Sequence, residues 1–151
     1  MKLDETHPAN LLLIRHLSSR NPNAALLASP VSEPYAYLTL GSHPDIVEYV
    51  WTALCASLQA DCRAIVHGTP ALAHPDAGIM FAFAYGTQYL LRLFGTDLDA
   101  ARAAGYRNEQ TWAGGNKTNS EEVFGPGWLF GAWGRNESEW MLNTYAALGR
   151  K

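Results

Sequence analysis

Charge is scarce in this sequence of 151 residues: Asp, Glu, Lys and Arg make up only 17%, where an ordinary globular domain carries about a quarter. The balance is faintly acidic, with a formal net charge of −3. A nucleic-acid grip needs clustered Lys and Arg to neutralise phosphates, so no nucleic-acid partner is expected. Cysteine is scarcer still. Cys55 and Cys62 are the only two, too few for a disulfide scaffold. With no secretory signal pattern ahead of them, they read as reduced thiols in a cytoplasmic protein. Long apolar runs are missing: Leu11-Leu12-Leu13-Ile14 is cut short by Arg15, far below the ~20 residues of a membrane helix. No membrane association is expected. Internal repeats and low-complexity tracts are absent too. A surface this lightly charged suits one that is partly covered, by a protein partner or by a second copy of the chain.

Apolar and aromatic residues, in contrast, are plentiful. Hydrophobic residues reach 48%, with five Trp, seven Tyr and five Phe, enough for a sizeable core. The length favours one domain, residues 1–151, with a polar and flexible start over 1–7. The stretch from Arg63 to Phe94 organises the rest: short apolar runs, each closed by a turn signal, predict an antiparallel meander. Ile79 to Tyr85 is its clearest strand. Alternation predicts Ile79, Phe81, Phe83 and Tyr85 on one face and Met80, Ala82 and Ala84 on the other. Both rows are apolar, so both faces should be covered. Gly86-Thr87 predicts a two-residue type II′ turn, and Gln88 to Phe94 the returning strand. Pro70, which has no N–H for a ladder, suggests an edge or an interruption in the strand around 70–73.

Helices are expected on either side. Thr6 could cap one from Pro8 to about Ser19, and Ser42-His43-Pro44-Asp45 starts one to about Leu58. Its apolar stripe is Ile46, Val47, Val50, Trp51, Leu54 and Leu58. Thr96 is the expected cap of a short helix over 98–104. Residues 20–34 read as a connector, Tyr35 to Leu40 as a strand, and 106–127 as a long irregular loop. Gly127 to Trp133 is expected as the last strand. A closing helix follows from Asn136, burying Met141, Leu142, Tyr145 and Leu148. The fold class is therefore α+β: an antiparallel meander of about five strands packed with helices.

The run Gly78-Ile79-Met80-Phe81-Ala82, a hairpin, and Tyr89-Leu90-Leu91-Arg92-Leu93 resembles the core of the bacterial competence-regulator TfoX N-terminal domains and the related YjbR-like proteins. The resemblance covers roughly Arg63 to Gly105 and the terminal helix. It departs from the family pattern at Val66-His67-Gly68-Thr69, and the Gly-rich aromatic stretch 112–134 has no counterpart. It implies a small α+β domain and carries over no catalytic residue.

Chemical motifs are few. None of the five His falls in an HxH, HExxH or Cys-His spacing, so no metal is expected; His67 and His74 could at most meet across a hairpin. Cys55 reads as a core residue of its helix and Cys62 as an exposed loop thiol. Gly114-Gly115-Asn116-Lys117-Thr118 lacks the Gly before Lys that a phosphate loop needs. Glu137 and Glu139 suit a helix N-terminus. No catalytic residue and no cofactor are expected. The strongest candidate is the aromatic–glycine set: Trp112, Phe124, Trp128, Phe130 and Trp133, interleaved with glycines. Trp112, Trp128 and Trp133, with Arg92 and Arg135 as charged handles, form the expected binding surface. The competing account makes the set core and loop anchoring. The functional expectation is a non-catalytic interaction module for a protein partner or homo-oligomer. Its alternative is a small-molecule-binding domain or enzyme whose pocket is closed by loop 106–127.

Overall fold

The computed structural model describes residues 1–28 and 41–150. Its centre is a six-stranded antiparallel sheet in the order β1-β2-β3-β4-β5-β8. The strands are β1 (Leu27–Ala28), β2 (Arg63–Val66), β3 (Thr69–Ala73), β4 (Met80–Tyr85), β5 (Gln88–Arg92) and β8 (Trp128–Phe130). A separate ribbon pairs β6 (Glu109–Thr111) with β7 (Lys117–Asn119). The helices are α1 (Pro8–Arg20), α2 (Pro44–Glu48), α3 (Gly95–Ala103), α4 (Ser120–Phe124) and α5 (Glu137–Leu148). The expected α+β class and meander are present. The strand expected over 35–40 lies outside the described residues.

Both faces of the sheet are covered. On one, α2 and α5 pack over Leu72, Ala82, Ala84, Leu91 and Leu129. On the other, α1 and α4 pack over Ala71, Met80, Phe83, Leu90, Trp128 and Phe130. The small side chains of Ala82 and Ala84 let the helical layer approach closely. Strict alternation fails at one point. Leu72 pairs with Ala82 but Ala73 pairs with Met80, so Phe81 is the extra residue of a β-bulge. Phe81 thereby joins Ala82 and Ala84, while Met80 joins Phe83.

The turns follow their residues. Tyr85 pairs with Gln88 across Gly86-Thr87, and only Gly86 of the two has positive φ, at 65°, as a type II′ turn requires. Pro70 lies in an inner strand, not at an edge. Pairing of β3 with β4 begins at Ala71, so the missing N–H of Pro70 falls outside that ladder.

Several boundaries differ from the expected ones. His7 and His43, not Thr6 and Ser42, cap α1 and α2: each ring Nδ1 accepts a backbone N–H, from Ala9 at 3.0 Å and Asp45 at 3.1 Å. The α3 cap is Phe94 rather than Thr96. The helix begun at Pro44 stops being α-helical at Glu48 and continues as a π turn, Tyr49–Ala53. The Leu54 N–H reaches the Tyr49 carbonyl, five residues back, at 3.0 Å. Such one-turn widenings occur frequently at functional sites. The 106–127 stretch is not irregular, since it holds β6, β7 and α4. The last strand is shorter than Gly127 to Trp133, and Leu142 is exposed on α5 while Trp140 and Thr144 are buried.

Candidate functional site

The first residue of α5 is the centre of the site. Glu137 is fully buried. Its Oε1 accepts the hydroxyl protons of Tyr49 and Tyr89, each at 2.5 Å. Its Oε2 accepts the Tyr106 hydroxyl at 2.5 Å and the N–H groups of Ala132 and Gly134 at 3.2 and 3.3 Å. Among the described residues Glu137 makes no ion pair; a buried carboxyl group is here satisfied by donors alone, as burial requires. The donors come from four places in the chain: the π turn, β5, the end of α3, and the loop into α5.

The tyrosines are held as donors. Burial, and then the hydrogen bond to Glu137, push the phenols of Tyr49, Tyr89 and Tyr106 well above the usual tyrosine value. Two of them also accept: the Tyr89 oxygen takes the Trp133 N–H at 2.7 Å, and the Tyr106 oxygen takes the Gly134 N–H at 3.0 Å. The glycines of this segment make room for these rings. A Cβ on Gly131 would lie 1.9 Å from the Tyr89 ring, and one on Gly134 would lie 2.3 Å from the Tyr106 hydroxyl. Ala in either place would expel a tyrosine from the cage.

Above the cage stands Trp133. Its φ of 60° places it in the left-handed region, which a bulky side chain rarely enters and which marks strain imposed by the surroundings. The surroundings here are the hydrogen bonds to Tyr89 and Glu137 on either side of it. The result is an indole 54% exposed, lying over Tyr49 and Tyr89 with ring centroids 4.6 and 4.9 Å away. It borders a shallow groove of about 350 Å³ lined by Asp45, Glu48, Tyr49, Thr52, Ala53 and Trp133.

The other expected site residues do not gather there. Trp128 is fully buried on the opposite face of the sheet, so it is core and not surface. Phe124 and Phe130 are buried with it. Trp112 is half-buried on that same opposite side, edge to face with Phe130 at 6.2 Å, and its Nε1 donates to Thr118 at 2.8 Å. It borders a second groove with Arg20, Tyr85, Gly86 and Thr118. Arg92 pairs across the sheet with Trp128. Among the described residues, Arg92 Nε and Nη1 and Trp128 Nε1 are buried without a hydrogen-bond partner, and burial lowers the Arg92 pKa. The Arg92 guanidinium lies 5.2 Å from the Phe94 ring centre. Arg135 is exposed beyond Trp133 and does not line its groove. The aromatic–glycine set therefore splits: most of it is packing, Trp112 borders the second groove half-buried, and Trp133 is the most exposed of the three named tryptophans.

His67 and His74 lie at opposite ends of β3 and do not converge. His74 is buried, stacked on Tyr145 at 4.6 Å, and its Nδ1 accepts the N–H groups of Asp76 and Ala77. Among the described residues no group of three His, Cys, Asp or Glu is placed to hold a metal ion. No described helix is long and apolar enough to cross a membrane. Cys62 is buried, not exposed, and Cys55 is half-buried. Glu137 sits in the first turn of α5, as expected, but its part as a shared acceptor is not visible in sequence patterning. That place suited a dipole role, and the three tyrosines lie too far away in sequence to signal a shared partner.

Set beside known families, curated proteins and solved structures, the chain matches no family model, no curated protein and no solved structure.

Proposed function

We propose that this chain is a non-catalytic interaction module whose contact surface is centred on Trp133. One observation carries the reading: a bulky residue is held in a strained left-handed conformation by a buried hydrogen-bond network, and the conformation serves to expose its ring. Core tryptophans need no such device; Trp128 on its strand and Trp51 in the π turn are buried without a positive φ. Trp is enriched among residues that dominate binding energy at protein interfaces. A rigid Trp on a rigid platform loses little entropy on binding. The occupant is a protein partner, with a second copy of the chain as the other protein it could be.

The test compares the wild type with Trp133→Ala. Melting curves establish that both are folded. Sedimentation over a range of concentrations measures self-association, and binding to purified candidate partners measures the rest. The variant should stay folded and lose association, by about 2 kcal/mol or more for a hot spot. Equal association by both proteins, with the variant markedly less stable, would show that Trp133 is packing.

A further inference from the structure

We infer that the Trp133 groove takes a cationic side chain, lysine or arginine, from a basic segment of a partner polypeptide; this rests on the reading of Trp133 as a contact surface. Two features of the groove agree on the sign of its occupant. Its apolar wall is the exposed part of the Trp133 indole, which packs against Tyr49 with centroids 4.6 Å apart. An exposed indole held in this way offers electron-rich surface to a cation, and indole is the strongest of the aromatic acceptors. Its rim carries two carboxylates, Asp45 and Glu48, both exposed. Its floor includes Thr52 and Ala53, at the end of the helical run from Pro44.

The two carboxylates are available. Glu48 forms no ion pair among the described residues. Asp45 lies 3.9 Å from His43 Nδ1, but that nitrogen accepts the Asp45 backbone N–H and so presents a lone pair rather than a proton. The neighbouring cation, Arg135, is outside the groove. The aliphatic stem of a lysine or arginine would lie along the apolar lining while its head reaches the rim, the usual arrangement for such side chains. Charges elsewhere nearly cancel, since the net charge is only −3 and Asp45 and Glu48 supply two of it, so they would do little to steer a basic partner and the recognition is local.

Short blocked peptides rich in lysine, arginine, norleucine or glutamate provide the test. Each is titrated into the full-length ¹⁵N-labelled protein while the Trp133 indole N–H resonance is followed, assigned with Trp133→Phe. The basic peptides should shift that resonance saturably, and the norleucine and glutamate peptides should not. Replacing Asp45→Asn together with Glu48→Gln should weaken basic-peptide binding about fivefold, and raising salt should weaken it further, as charge attraction is screened. Trp133→Ala, followed through the backbone amide resonances of Glu48 and Thr52, should weaken it by about tenfold. Norleucine binding as tightly as lysine, or unchanged affinity after neutralising both carboxylates, would overturn the cationic assignment and leave Trp133 as an apolar contact surface. If no peptide moves the resonance and Trp133→Ala also leaves association with proteins unchanged, the interaction reading itself falls.

Discussion

The backbone N–H of Trp133 donates to the hydroxyl oxygen of Tyr89 at 2.7 Å, and their rings meet edge to face with centroids 4.9 Å apart. The same hydroxyl gives its proton to Glu137. An exposed, strained residue is thus tied through one phenol to a carboxyl group in the protein interior. Hydrogen bonds in such a chain polarise one another, so the surface position and the buried one should respond together.

The strain at Trp133 has a measurable sign. At most positions glycine is worse than alanine because it loses more freedom on folding. At a left-handed position the order reverses, since alanine keeps the steric cost of about 1 kcal/mol and glycine does not. Trp133→Gly should therefore be more stable than Trp133→Ala by about that amount, as read from denaturant midpoints at equal slope. The opposite order would mean that residue 133 is not held left-handed in solution.

The cage predicts a second hierarchy. A buried donor left without its acceptor costs about 1–3 kcal/mol, and Glu137 serves five donors. Glu137→Ala should cost at least about 3 kcal/mol. Glu137→Gln keeps the shape but turns an amide N–H₂ towards groups that are themselves donors, so it should rescue little. Single Tyr→Phe changes should cost about 1–3 kcal/mol each, most at Tyr89, which is fully buried and accepts as well as donates. Equal, small effects for Glu137→Ala and Tyr49→Phe would mean that the cage does not hold the fold together.

What the sequence made legible, and what it hid, divides along sequence distance. Gly86-Thr87 and the runs on either side of it announced the hairpin, because turn chemistry and alternation are local. The bulge at Phe81 was invisible, since an inserted residue leaves the apolar string looking continuous. The π turn at Tyr49 was hidden for the same reason, within an unbroken helical stripe. The density of Trp, Phe and Gly after residue 110 was visible but mixed two causes. Gly131 and Gly134 clear space for Tyr89 and Tyr106, whereas Trp133 is displayed. Only the assembled cage, joining residues 49, 89, 106 and 137, separates the two.

Alkaline pH should unfold the protein through these same tyrosines. Their folded-state values lie above the ordinary value of 10. Their contribution is complete below pH ~10 and is lost as pH rises past it, because the unfolded chain releases protons that the folded one keeps. Each such group steepens the fall by about 1.4 kcal/mol per pH unit. Tyr85 and Tyr145, also raised by burial, add in the same direction. Denaturant melts between pH 9 and 11 should show a steep loss of stability. Tyr49→Phe, Tyr89→Phe and Tyr106→Phe should each flatten it by one group's share. Slopes unchanged in all three variants would contradict the hydrogen-bonded, protonated state of the cage.

The last prediction concerns the thiols. Both cysteines are free, and thiol titration of the unreduced, denatured protein should find both. They should differ sharply in reactivity. A hydrogen bond from the Cys62 thiol lowers Cys55 to about 7, against the opposing effect of burial, while Cys62 itself is pushed up. Cys62 also has the Ala60 carbonyl as an acceptor, at 3.4 Å. Ionisation of Cys55 should draw its proton towards the thiolate, the stronger acceptor. At neutral pH iodoacetamide should modify half-buried Cys55 first and Cys62 only on unfolding. The Cys55 rate should rise with a midpoint near 7. Cys62→Ala removes the donor and should return that midpoint towards about 8.5. The thiolate fraction at pH 7 would fall about fifteenfold, but a more basic thiolate is a better nucleophile, so the net rate should drop only about fourfold. The shift in midpoint is therefore the sharper readout. A Cys55 profile unchanged by Cys62→Ala would show that the two thiols do not share a proton in solution.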